Sequence, residues 1–218
     1  MGNLTALNYG ASIILPSEGF DAIKTLEAVS KHKATMLYGV PTMFIAYLEE
    51  LSKNKSKYDT STLRSGIIAG SNVPEQLIRR IHQEIPNIHE FSTAYGQTET
   101  SPVTFMLDAH DSIDKKATTV GKVCPHVEAK IVNSLGEILP WGETGEIYER
   151  GYLVMKGYWG DEKQTNETID KDGWLHSGDL GYLDKDGYLK IIGRSKDMII
   201  RGGENVYPRE IEEYFMKH

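Results

Sequence analysis

The sequence predicts an α/β fold: a parallel-sheet α/β layer followed by a small distorted β-barrel. Two patterns carry that expectation. Up to about Leu107, helical and strand signals alternate, each helix followed by a strand, so a parallel sheet is the economical topology. Beyond the polar stretch Asp108–Lys116 the pattern changes to short strands separated by turns, with Asp172-Gly173 and Asp186-Gly187 as hairpin signals.

Taken in order, Phe20–Lys33 places Ile23, Leu26 and Val29 on one helical face, and the short apolar run Thr35–Tyr38 follows it. Pro41 opens a second helix through Leu51, Ser65–Ala69 reads as a buried strand, and Pro74 opens a third helix, Glu75–Ile85. The second region offers strands at Thr119–Val123, Glu128–Asn133, Gly145–Arg150 and Gly181–Leu183, with one helix, Asp161–Ile169, between them. A strand end at Lys190–Gly193 then leads through the charged turn Arg194–Asp197 and the apolar run Met198–Ile200 to a tight turn at Gly202–Gly203 and a helix from Pro208. Proline suits a first helical position because its missing N–H would be unpaired there, and Glu210, Glu212 and Glu213 complement the positive end of the helix dipole.

Bulk properties exclude several classes. A chain of 218 residues with 39% hydrophobic and 25% charged residues can bury an ordinary globular core. Its net charge of −7 and lack of a long Lys/Arg run argue against nucleic acid as the principal partner. The single Cys124 rules out an intrachain disulfide and fits a reducing compartment; its surroundings favour a structural thiol over an activated one. No apolar run reaches membrane-spanning length and the first residues lack a cleavable-signal pattern, so a cytoplasmic location is expected, with the mitochondrial matrix open for a eukaryotic parent.

Three blocks carry the chemistry: YGQTETSPVTF at Tyr95–Phe105, WLHSGD at Trp174–Asp179, and GRSKDMIIRGGENVYPREIE at Gly193–Glu212. Singly, the first also reads as a strand-to-helix turn with Thr98 as N-cap and Glu99 as a first-turn acid, and the last as a hairpin followed by a surface helix. In this order they resemble the adenylate-forming, acyl-activating enzyme superfamily of acyl-CoA synthetases, peptide-synthetase adenylation domains and luciferases. With YGVPTMF at Tyr38–Phe44, they most resemble medium-chain fatty-acyl-CoA ligases of the acyl-CoA synthetase family member 2 type, over nearly the whole chain. The resemblance implies part of a large N-terminal domain: an α/β subdomain at 1–117, a barrel-like subdomain at 118–193, and a hinge with the start of a small C-terminal domain at 194–218.

It also implies a reaction: ATP-dependent activation of a fatty acid to acyl-AMP with release of pyrophosphate, then transfer to coenzyme A. Such a site must fix adenine and ribose and neutralise charge moving onto phosphate oxygens, with Mg²⁺ as the usual cation. By resemblance, Tyr95 packs on the adenine face, Gly96 lets the backbone approach the nucleotide, Gln97 is a nucleotide-binding residue, Thr98 bonds a phosphate oxygen, and Glu99 holds Mg²⁺. One carboxylate suffices for a cation that also takes phosphate and water oxygens. Asp179 accepts the two ribose hydroxyls and Arg194 contacts the ribose from the other side. Ser177 stands where the family usually carries Thr, which preserves the hydroxyl. Gly70, Ser71 and Asn72 follow a buried strand and are assigned to the wall shared by adenine and acyl group. Tyr38, Val40, Phe44 and Thr100 are assigned to the acyl pocket, although aromatics at the spacing of Tyr38–Phe44 also read as plain core. Lys196 stands at the hinge between the large and small domains.

Two family features have no counterpart in the sequence: a Ser/Thr/Gly-rich loop ending in Pro-Lys-Gly, and a late Gly-Lys segment with the adenylation lysine. The chain is therefore expected to be a central piece of a larger enzyme, weak or inactive alone. Alternatives are an aryl- or amino-acid-activating enzyme that delivers to a carrier protein, and a non-catalytic nucleotide-binding module. The sequence leaves the oligomeric state open.

Overall fold

The computed structural model describes residues 2–201 and 204–215, so the expected Gly202–Gly203 turn lies outside the described residues. They fall into two compact units: the chain up to Thr93 with Asp108–Ala117, and Ala94–Leu107 with the chain from Thr118 onward.

The first unit alternates helices and strands as its sequence dictates. After α1 (Gly2–Asn8) come α2 (Ala22–His32), β1 (Met36–Gly39), α3 (Pro41–Asn54), β2 (Ser65–Ile68), α4 (Glu75–Glu84) and β3 (Glu90–Tyr95). The three strands pair in parallel, Met36 opposite Ser65 and Ser65 opposite Glu90. Asp21 caps α2 by accepting the Lys24 N–H at 3.0 Å, and Lys33 closes it in the left-handed region at φ +53. α3 contacts both α2 and α4. Their apolar faces meet the strands in one core, where Phe44 stands edge-on to both Tyr47 and Phe91. Ile23, expected on the same face as Leu26 and Val29, is 44% exposed, while those two enter the core.

Two helices, α1 and α5 (Ile113–Thr118), were not legible. The second begins inside the polar stretch Asp108–Lys116, where no helix was expected. Six residues cannot sustain a helix by propensity. It is held by buried Lys116, whose ammonium donates to the carbonyls of His89 at 3.0 Å and Ala109 at 2.6 Å.

In the second unit, Ala94 and Tyr95 at the end of β3 pair antiparallel with β4 (Phe105–Met106), which pairs with β5 (Lys122–Val123). The barrel-like region is, by its hydrogen bonds, a four-stranded antiparallel sheet in the order β6 (Val127–Val132), β7 (Gly145–Gly151), β8 (Leu175–Leu183) and β9 (Leu189–Arg194). Phe105, Ile131, Ile147 and Leu189 form its core, with Tyr95 packed against them. α6 (Glu162–Thr168) sits between β7 and β8, capped by Asp161. β10 (Ile199–Arg201) and β11 (Glu204–Val206) make a two-stranded ladder before α7 (Pro208–Phe215), where Arg209 donates to the Ile191 carbonyl of β9 and to Glu213. β8 begins six residues before the expected Gly181, so it contains the whole His176–Asp179 stretch. Pairing with β7 and β9, rather than hydrophobic alternation, makes those polar residues a strand.

Candidate active site

The second unit brings together Tyr95, Asp179 and Arg194. Asp179 and Arg194 are direct cross-strand partners on β8 and β9, so the register alone faces a carboxylate with a guanidinium. Arg194 Nε donates to Asp179 Oδ1 at 3.1 Å, and the Tyr95 hydroxyl donates to Asp179 Oδ2 at 2.7 Å. Asp179 is 6% exposed, while the Arg194 side chain is 55% exposed. Ser177 turns back to accept the Asp179 N–H at 3.0 Å, and Glu146 accepts the Gly178 N–H at 3.0 Å, so the loop-like Ser-Gly-Asp segment is fixed locally. Burial first, then the charges of Glu149 and Asp179, push the Tyr95 hydroxyl well above its usual range, which keeps it a donor.

The YGQTET block resolves into a strand end and a single 3-10 turn, Thr98–Thr100, whose N-cap is Gln97 rather than Thr98. Thr98 is exposed and available to a ligand. Glu99 accepts the Tyr158 hydroxyl at 2.7 Å, and its own carbonyl accepts the Met155 N–H at 2.8 Å, so the Met155–Tyr158 segment holds it in place. That hydrogen bond, then burial, raises the proton affinity of Tyr158. Among the described residues no cluster of three His, Cys, Asp or Glu could enclose a metal. A single carboxylate fits Mg²⁺ shared with phosphate oxygens, because a carboxylate has room for about four contacts.

Two assignments change, and a third residue has a structural requirement of its own. Gly96 is required by the protein itself: a Cβ there would lie 2.2 Å from the Pro102 carbonyl oxygen. Thr100 has no exposed surface, and its hydroxyl accepts the Gln97 N–H at 3.0 Å, so it braces the turn instead of lining an acyl pocket. Phe44, also expected at that pocket, is 0% exposed in the core of the first unit.

Within the first unit, Val40 and Gly70 do meet. Gly70 follows β2 at φ +96, and a Cβ on it would stand 3.3 Å from Val40 Cγ1. Tyr38 and Val40 keep 37% and 40% of their surface exposed, and Ser71 and Asn72 are exposed beside Gly70. Lys196 lies exposed in a 3-10 turn, Ser195–Asp197, directly after β9. Cys124 is partly buried and burial pushes its thiol up, as suits a structural residue.

Sequence reasoning missed Tyr158 and Glu149. Tyr158 carried no signal, since nothing in Gly157–Gly160 set it apart from the adjacent Trp159. Glu149 did: in Gly145–Gly151 it falls in phase with Ile147, the phase that faces the core.

A parallel α/β layer joined to an antiparallel sheet, with an aspartate held between a tyrosine and an arginine, agrees with the motif order, and the chain belongs to the AMP-binding enzymes, whose family model matches residues 1–159. It is 48% identical over 218 residues to the mitochondrial medium-chain acyl-CoA ligase ACSF2 of Mus musculus, a match covering 100% of this chain and 35% of that protein. The acyl-CoA ligase sidI of Aspergillus fumigatus is 48% identical over 222 residues, covering 100% of this chain and 37% of its own length. Among solved structures, o-succinylbenzoate CoA synthetase of Bacillus subtilis in complex with its acyl-adenylate superposes with TM-score 0.85 at 31% identity, covering 100% of this chain and 42% of that one. The anthranilate CoA ligase AuaEII in complex with anthranoyl-AMP gives TM-score 0.85 at 29% identity, covering 96% and 39%. The expected fold and family are borne out, and the chain spans about a third of the length of the curated relatives it matches.

Proposed function

We propose that the chain is part of an ATP-dependent fatty-acid–CoA ligase that forms an acyl-adenylate and passes the acyl group to coenzyme A. The observation that carries this reading is the buried Asp179, held by Tyr95 and Arg194 so that its carboxylate can accept a ribose diol. Tyr95 then borders the adenine, Glu99 holds Mg²⁺ with Tyr158 bracing it, Thr98 meets a phosphate oxygen, and Lys196 is the hinge. Gly70, Ser71 and Asn72 supply the adenine wall, and Tyr38 and Val40 the acyl wall. Mg²⁺ supplies charge neutralisation when bound; the protein residues supply orientation. The 1–117, 118–193 and 194–218 division stands as part of the same proposal, and the relatives' names favour a mitochondrial location. Among the described residues no helix is long and apolar enough to cross a membrane.

An amino-acid substrate would need an acid for its amine. Glu75 is bonded to Arg79 at 2.8 Å and Glu99 to Tyr158, which favours an uncharged acyl tail. Aryl acids remain the second reading, since structural relatives act on o-succinylbenzoate and anthranilate by name. Calorimetry with non-hydrolysable adenylate analogues tests the choice. Tighter binding of an octanoyl than of a benzoyl analogue is expected; equal or reversed affinities would sink the fatty-acid reading.

A further inference from the structure

Glu149 touches the site described so far only electrostatically, through its effect on Tyr95. β7 alternates between faces, and Glu149 falls on the side of Gly145 and Ile147, with Ala129 and Leu175 opposite it on β6 and β8. It is 0% exposed, and among the described residues its one polar neighbour outside the site is the buried Thr104 hydroxyl, which acts on the carboxyl without forming a well-aligned hydrogen bond. An aliphatic residue would satisfy the packing. A buried acid with only a poorly aligned hydroxyl beside it is costly and calls for another account.

The titratable groups facing it are Asp179 from β8 and Tyr95 from β3, already bonded to each other. Arg194, on β9, is bonded to Asp179. Two carboxyls in one water-poor interior cannot both ionise cheaply, and the cation here serves only one of them.

We propose that Glu149 is a positioning residue of the nucleoside site, a buried carboxyl that must keep its proton for Asp179 to accept a ribose diol. This rests on the reading of Asp179 as the ribose acceptor. A ligand over Asp179 displaces water that screens the two carboxyls, which raises the cost of an ionised Glu149. Binding therefore takes up a proton. Burial, opposed by the Thr104 hydroxyl and aided by the Asp179 charge, has already pushed Glu149 up to about 7, so that proton is at stake near neutral pH. As pH rises through that value, affinity falls.

Adenosine, uncharged across this range, is the probe. It is titrated by calorimetry into the full chain at pH 6 and pH 8, in two buffers of different ionisation enthalpy, with Glu149→Gln and Asp179→Ala alongside. The unaltered chain binds up to about tenfold more weakly at pH 8 and takes up a proton fraction on binding. Glu149→Gln, neutral at both pH values, binds alike at each with no uptake. Asp179→Ala binds at neither. Adenosine binding by the unaltered chain that is lost in Asp179→Ala but is independent of pH overturns the role of Glu149 and leaves Asp179 as the ribose acceptor. The same pH dependence in Glu149→Gln also overturns it. No binding by the unaltered chain at either pH overturns the Asp179 reading and the Glu149 proposal together.

Discussion

The buried Glu149 makes a stability prediction independent of any ligand. In the unfolded chain its carboxyl loses its proton near 4.5; in the folded protein, burial above all, aided by the Asp179 charge, raises that point to about 7, while the Thr104 hydroxyl works in the opposite direction. Below about pH 4.5 both states hold the proton and the group is silent. Between those values the unfolded state releases it and the folded state does not, so rising pH favours unfolding. Above about 7 the full cost is present: about 2.5 pKa units, or about 3 kcal/mol as an upper value. Glu149→Gln is neutral in both states. It carries its own constant cost for amide hydrogens without partners, about 1–3 kcal/mol, so the diagnostic quantity is the pH dependence of the difference and not its absolute sign. Relative to the unaltered chain, the variant gains up to about 3 kcal/mol between pH 4.5 and pH 8. Urea unfolding followed by tryptophan fluorescence measures this in the right place, because Trp141, Trp159 and Trp174 all lie in the second unit. A difference between the two proteins that stays flat from pH 4.5 to pH 8 would refute the reasoning.

Two further outcomes follow from packing and composition. Gly96→Ala sets a methyl 2.2 Å from the Pro102 carbonyl oxygen and 2.9 Å from Val103 Cα, backbone atoms that cannot turn aside. It should destabilise the second unit by about 1–3 kcal/mol in urea unfolding, and a change under about 0.5 kcal/mol would show that the approach is not tight. The sequence lacks both the Ser/Thr/Gly-rich phosphate loop and the late Gly-Lys segment, so the purified chain should catalyse little ATP–pyrophosphate exchange with any fatty acid. Robust exchange without added protein would contradict that.

Much of the first unit was legible because periodicity there reports burial: Leu26 and Val29, and Leu77, Ile78 and Ile81, are the inward faces their spacing describes. The parts that were not legible are those where tertiary contacts decide. α5 depends on Lys116 reaching two distant carbonyls, and β8 on neighbours that pair its polar residues. In the site, Asp179 and Arg194 were visible as motif residues, yet their opposition in register was not. Tyr158 could not be linked to Glu99 across the intervening chain. Glu149 was visible as a charge in the core phase of Gly145–Gly151, but alternation alone does not tell a buried acid from one at a strand end that reaches solvent.

The central claim is that the Asp179 carboxylate, held by Tyr95 and Arg194, receives a ribose diol. Its most direct test compares AMP with 2′,3′-dideoxy-AMP by calorimetry on the unaltered chain at pH 6. Loss of both hydroxyls should weaken binding by about tenfold or more, the worth of one to two hydrogen bonds to a charged group. Equal affinity for the two nucleotides would contradict the account.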